Sequence, residues 1–589
     1  MISHCTLRSA FLLLVTITTA VNCTVKLEAL STLYLPYTYN NGNPSYGIDT
    51  GAIEQLTFDP RDKMIYTVGD QVIHVIDISD VNDPKIVHHV NMTNKANDIE
   101  LCGDYIAVAV SAVPTTAPGS VFIFDLYNPG LGSLEIVQTI TVGSEPDMLA
   151  FSKNCQTIVV CNEGEPGEDG KGAYVDPEGS VTVLKFASTD LSETPTIETA
   201  DFTAFNNMTE EYLAKGVRAP LMGQLPSLPS TFSQNMEPEI AALNMDDTIA
   251  YVALQENNAI AVVDIATATV TEIFPLGFKD HTEHPLDASD SDSGINIQPW
   301  PVYGMYQPDS IAYYYRDGEG YLLTANEGSA MSLSISGEEW DESMRGQSFV
   351  SGGLLSDDVP QELAEALNDT ERLGRLFFST VDGKSAADPS KIDTFYAYGA
   401  RSFSVVRTSD MQMIYESSDD MEKIHAETYP SIFNMNAGDS NFSRTPEDTM
   451  DERSDDKGPE PEAITFGRVG DKDIIFVGLE KTASLMLYRV TAAGDYVFES
   501  IYRPGGLGKS VQRLYDEKNL GDYDPEDLKY IDADDSPNRR PLLAVAGTIS
   551  GTLSLYNVVD VETTSKQPTQ TFSSLLLIVS TMAVTLLSR

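Results

Sequence analysis

Five segments of the 589-residue chain open alike, with proline followed by a carboxylate: EPD from Glu145, EPE from Glu237, QPD from Gln307, EPE from Glu460 and DPE from Asp524. The carboxylates are Asp147, Glu239, Asp309, Glu462 and Glu526, each leading into a short apolar run. A second set, Glu163, Glu256, Glu327 and Glu480, stands at the second turn of several of the same units. Equivalent positions of radially repeated units are brought around one axis. Two carboxylates about 6 Å apart repel by under about 1 kcal/mol in bulk water but by roughly 3 kcal/mol at an effective dielectric near 20. A ring of them therefore calls for a cation, a basic partner or raised pKa values. The competing role is structural, with each acid capping a strand end and accepting from backbone amides.

Two further acidic clusters offer oxygen ligands. The loop DASDSDSG holds Asp287, Asp290 and Asp292; it departs from an EF-hand because Gly294 falls one place early and no Glu stands at the twelfth position. The segment RSDDKGPEPE holds Asp455, Asp456, Glu460 and Glu462. Both are read as irregular, weak calcium sites, with calcium the one cofactor expected. His281 and His284 flank Glu283 without a third zinc ligand at helical spacing, and are read as a surface turn. The chain contains no GxSxG elbow, HExxH helix or P-loop. Ser402 and Ser404 fall within an apolar alternation that reads as a strand, and Arg401 and Arg453 are expected to pair with the abundant acids. No catalytic residue is assigned. Two functional classes fit: an acidic surface glycoprotein acting through weak calcium binding, and a metal-dependent phosphoesterase on the same scaffold.

The elements that position these groups are strands. Copies of one unit, a short apolar strand, a polar turn, a β-branched strand and a third strand, begin near Ala52, Ala96, Glu145, Met236, Gln307, Glu460 and Asp524, with a weaker copy at Asp393. Antiparallel meanders of this length predict an all-β β-propeller of seven or eight blades, the alternative being a pair of sandwiches. Long segments near 187–235, 266–306, 336–392, 417–459 and 491–523 become loops or short helices on the faces, with a helix predicted from Gln361 to Phe377.

The net charge of −51, from 88 acidic against 37 basic residues, disfavours nucleic acids and anionic lipid surfaces as partners. Calcium ions, calcium mineral and extracellular matrix proteins fit better. Residues 1–23 read as a signal peptide, 24–560 as the propeller ectodomain and 561–589 as a spacer with a lipid-attachment signal. The terminal apolar run, Leu575 to Leu587, would rise only about 20 Å as a helix against a hydrocarbon core of roughly 30 Å. It is followed only by Ser588 and Arg589, so a GPI anchor at Ser565 is expected, with contact to the membrane through that lipid alone; a tilted single-pass helix is the alternative. Secretion predicts a disulfide from Cys102 to Cys155 or Cys161, and glycans on the sequons at Asn91, Asn207, Asn368 and Asn441.

Longer motifs carry a family resemblance. NEGEPG with YVDPEGSV (Asn162 to Val181), FKDH with LDASDSDSGINIQPWPVYGMYQPDSIA, LLTANEG (Leu322 to Gly328), YGARSFSV (Tyr398 to Val405) and RSDDKGPEPEAITFG with IIFVGLEK (Arg453 to Lys481) resemble the mesenchyme-specific cell surface glycoprotein family and its bacterial relatives with a choice-of-anchor I domain. The resemblance implies a propeller-like extracellular domain, a lipid anchor, glycosylation and a role in biomineral formation, without an established catalytic activity. The text after TVDG and after TANEG lacks the acidic groups of the bacterial relatives.

Overall fold

A computed structural model describes residues 24–335 and 337–561. The predicted signal peptide, the terminal apolar run and the anchor position Ser565 lie outside the described residues. The chain is all-β: strands dominate, with five short α-helices among the described residues. Seven four-stranded antiparallel sheets form the body. Their first strands are Gln55–Asp59, Ala96–Cys102, Pro146–Phe151, Pro238–Leu243, Ser310–Arg316, Pro461–Val469 and Pro525–Ile531. Each first strand touches that of the next sheet, and the seventh touches the first again.

Apolar packing follows the same cycle. Tyr66, Val68, Ile99 and Ile106 join the first sheet to the second, and Ala107, Val121, Leu149 and Ile158 join the second to the third. Corresponding clusters fill the remaining interfaces, ending with Leu56, Ile65, Leu542 and Leu553 between the seventh sheet and the first. Sheets covered on both faces need apolar side chains in both directions. That is why inner strands such as Ile249–Leu254 and Leu542–Gly547 read as nearly continuous apolar runs. The architecture is that of a β-propeller, in which neighbouring sheets hide one another's faces.

The seventh sheet borrows its outermost strand, Val25–Tyr34, from the start of the described chain, paired antiparallel with Thr552–Asp560. The weak sequence copy at Asp393 does not begin a sheet. Its strands Ser402–Arg407 and Gln412–Glu416 complete the fifth sheet, whose first two strands lie before a long insertion. That insertion and the preceding loop build a satellite core of Trp300, Phe349, Leu367, Phe378 and Phe395. The predicted helix forms only over Gln361–Asn368; the chain then turns, and Phe377–Ser379 is a short strand pairing with Ser343–Arg345. Cys102 is bonded to Cys155 across the second and third sheets, leaving Cys161 a buried thiol. Among the described residues, no helix is long and apolar enough to cross a membrane.

Candidate functional site

The proline-acid starts converge. Glu54, Asn97, Asp147, Glu239, Asp309 and Glu526 line one chamber of about 270 Å³, and each stands at the start of the first strand of its sheet. Glu462 occupies the equivalent place in the sixth sheet, beside Asp309. Six of the seven equivalent positions are thus carboxylates, with an asparagine in the seventh. Proline removes a donor at the strand start. After Pro146, Pro238, Pro461 and Pro525, and equally after Ala96, which is not a proline, the register shifts by a bulge. The preceding residues Glu145, Gln307, Glu460 and Asp524 have φ of 52°, 41°, 52° and 62°, a left-handed backbone costly for a non-glycine residue. Backbone strain is therefore repeated around the chamber's edge.

Two of the second-turn acids, Glu163 and Glu327, come from NEG motifs. In Asn326-Glu327-Gly328 the Asn326 amide donates to Ser404 Oγ at 2.8 Å, tying the second strand to the third. Asn162 does the same to Thr182 Oγ1 at 3.0 Å. The glutamate that follows turns toward the axis. Gly328, at φ 101°, lies so close to Gly399 that a Cβ would stand 2.1 Å from its backbone nitrogen. YGARSFSV and LLTANEG are thus two halves of one construction.

Burial, followed by neighbouring carboxylates, raises the pKa values of these groups. Asp309 is held well above the carboxylate range by burial and Glu327, Glu462 by burial and Asp309, and Glu526 by burial and Asp524. Burial lifts Glu54 to about 8, and lifts Asp147 to about 6 against the pull of Lys95. Among the described residues, Lys95 is the one basic residue lining the chamber, and it stands 3.9 Å from Glu54.

Behind the chamber wall, near the fifth and sixth sheets, Lys457 bonds Glu327 and contacts Glu460 Oε2 at 3.0 Å. Arg453 donates to Glu460 Oε1 at 2.7 Å, and Lys481 pairs with Glu480. Burial alone would raise Glu460, but Lys457, Arg453 and Lys481 outweigh it and hold it well below the usual range. Near the third and fourth sheets burial raises Glu163, Glu237 and Glu239 well above the carboxylate range, and the nearby charges that add to it are other carboxylates. Glu237 Oε1, Glu239 Oε2 and Glu256 Oε2 are buried without a hydrogen-bond partner.

The two predicted calcium clusters sit elsewhere, except for Glu460 and Glu462. Asp290 and Asp455 share Arg375, at 2.8 and 2.7 Å, and Asp455 also bonds Arg345. Asp456 pairs with Arg453 at 2.8 Å. Asp287 is buried, caps its own loop by accepting from the Asn296 amide at 2.5 Å, and is pushed up to about 8 by burial and by Glu422. Asp292 accepts from Asn296 Nδ2 at 3.1 Å. Arg401 staples the loops together through Asp287 O, Ser454 O and Glu422. His281 is buried, not on a surface turn, with Nδ1 2.8 Å from His284 O. The four sequon asparagines, Asn91, Asn207, Asn368 and Asn441, are all exposed. Sequence reasoning missed Glu54 and Asn97, which lack the preceding proline, and the counter-ion role of Lys457.

A family model, the choice-of-anchor I domain, matches residues 54–493. The chain belongs to the choice-of-anchor I family. Its relatives include the mesenchyme-specific cell surface glycoprotein of Strongylocentrotus purpuratus, 26% identical over 88% of this chain and 85% of the relative. Gigasin-3a of Magallana gigas is 38% identical over 32% of this chain and 64% of its own length. Among solved structures, the WD40 domain of Toxoplasma gondii coronin (9% identity, TM-score 0.42, 92% of this chain and 87% of that one) and Kuenenia stuttgartiensis hydrazine synthase (9%, 0.41, 89% and 100%) resemble it, and neither likeness bears on function.

Proposed function

We propose that this choice-of-anchor I chain is a GPI-anchored, acidic glycoprotein of the outer cell surface whose seven sheets are the blades of one propeller, and that it acts in the formation of calcified matrix by taking up calcium at its axis. The observation that carries the reading is the ring: five of the six equivalent carboxylates line one chamber with a single lysine, and the sixth, Glu462, stands beside Asp309. Such an arrangement disfavours its own ionised form, and a divalent cation relieves that cost directly. A relative named as a cell surface glycoprotein, the exposed sequons and the acid excess support the extracellular setting.

Calorimetric titration of the purified, deglycosylated mature protein with calcium chloride tests this reading. Dissociation constants of about 0.1 to 1 mM are expected, as for extracellular modules. No uptake at millimolar calcium would sink it. Turnover of a generic phosphomonoester by the same preparation, above a heat-killed control, would instead favour the phosphoesterase. Release from cells by a phosphatidylinositol-specific phospholipase checks the anchor.

A further inference from the structure

The reading of the axis as a cation chamber leaves open where an ion would be ordered. Among the described residues, two trios of carboxylates have ligand oxygens all within 4.8 Å of one another: Asp309, Glu327 and Glu462, and Glu327, Glu460 and Glu480. Oxygens bound to one calcium ion at about 2.4 Å lie no more than about 4.8 Å apart, so both trios meet the geometric bound. They differ in their counter-charges. The second trio is already matched by Lys457, Lys481 and Arg453. In the first, only Glu327 has an ammonium partner. Glu462, 7% exposed, leaves Oε2 buried without a hydrogen bond.

A neutral group completes the surroundings. Gln255 Nε2 donates to Glu327 Oε2 at 2.9 Å and lies 3.4 Å from Asp309 Oδ1. A half-turn of its amide would present Oε1 in place of the donor, supplying a fourth oxygen. Every donor is oxygen, with no imidazole or thiolate, which suits a hard cation and not zinc or copper.

We propose that Asp309, Glu327 and Glu462, with Gln255, form a discrete calcium site at the axis, and that Lys457 fixes Glu327 in place as its standing counter-ion. This rests on the cation-chamber reading above, and the test separates the two. Calcium titration compares the wild-type protein with Glu462→Gln, Asp309→Asn and the distant Asp292→Asn. The first two should each lose one calcium equivalent per chain or bind it at least tenfold more weakly, while Asp292→Asn binds as the wild type. In EDTA, Glu462→Gln should unfold at the same temperature as the wild type or higher, because it removes an uncompensated buried carboxylate, yet lose the calcium-induced rise. Wild-type uptake that survives unchanged in Glu462→Gln and Asp309→Asn would overturn the site while leaving the chamber reading intact. Absence of any wild-type uptake would remove both. Should Glu462→Gln fail to fold, Asp309→Asn alone decides by the same readings.

Discussion

The two sides of the axial chamber both hold buried carboxylates and neutralise them differently. Near the fifth and sixth sheets, Glu327, Glu460 and Glu480 are met by Lys457, Lys481 and Arg453. Near the third and fourth, the charges nearest Glu163, Glu237 and Glu239 are other carboxylates, Glu256 for all three and Glu165 for Glu163 and Glu237. A buried charge with a partner is costly to orphan, whereas a buried charge without one is costly to keep. Removing the partner of a paired charge should therefore destabilise the protein, and neutralising an unpartnered acid should stabilise it.

The largest expected effect lies on the paired side. Lys457→Met keeps much of the stem but leaves Glu327 and Glu460 without their shared ammonium, and should cost about 3 kcal/mol of folding stability, at the lower end for breaking a buried pair. A shift in the denaturant midpoint at constant slope measures it. A loss below about 1 kcal/mol would mean that Arg453 and Lys481 already suffice, erasing the contrast.

Next comes the response to pH. Asp147 and Asp524 are raised to about 6, Glu165 to about 7 and Glu54 to about 8. A carboxyl whose folded pKa is raised contributes stability that is fully present below its unfolded value, near 4, and is lost as pH rises through the folded value. Glu460, held low by its cations, loses its contribution only well below pH 4.5. In EDTA the protein should thus grow more stable from pH 8 to pH 5. Millimolar calcium at pH 8 should shrink the difference. A flat profile between pH 5 and 8 would show that the uncompensated side is neutralised in another way.

These contrasts were only partly legible in the amino-acid order. Asp147, Glu239, Asp309, Glu462 and Glu526 could be placed at one axis because proline marks a strand start and repetition marks equivalence. Glu54 and Asn97 occupy the same positions but follow Ile53 and Ala96, so the punctuation was missing. The copy at Asp393 looked like an eighth unit because an insertion separates the two halves of the fifth sheet, and a local pattern cannot show which strand a distant strand joins. Asp455 looked like a cation ligand because its sequence neighbours are acidic. Arg345 and Arg375, which neutralise it, lie 110 and 80 residues away. Proximity of charge in sequence says little about its balance in space.

On the unpaired side, Glu239→Gln removes a charge whose Oε2 has no partner and whose strongest charged neighbours are Glu256 and Glu163. It should stabilise the protein in EDTA, by about 1 kcal/mol, as relief of one such repulsion across a partly screened chamber. Destabilisation by that amount would reveal a hydrogen bond that the carboxylate alone provides.

The smallest effect is expected in the loop whose sequence looks most like a calcium ligand set. Asp290 already faces Arg375, which is shared with Asp455, and the guanidinium is one-third exposed. Exposed pairs contribute about 0–1 kcal/mol, and Arg375 would keep Asp455 when Asp290 is neutralised. Asp292, in the same loop, serves the Gly294 and Asn296 amides. An ion entering here would have to displace an arginine and break backbone caps, whereas at the axis it meets carboxylates with few competitors. Asp290→Asn should accordingly change stability by less than about 1 kcal/mol and leave calcium uptake unaltered. A fall of one calcium equivalent in that variant, with Glu462→Gln unaffected, would move the ion from the axis to the loop and reverse the order of the two regions.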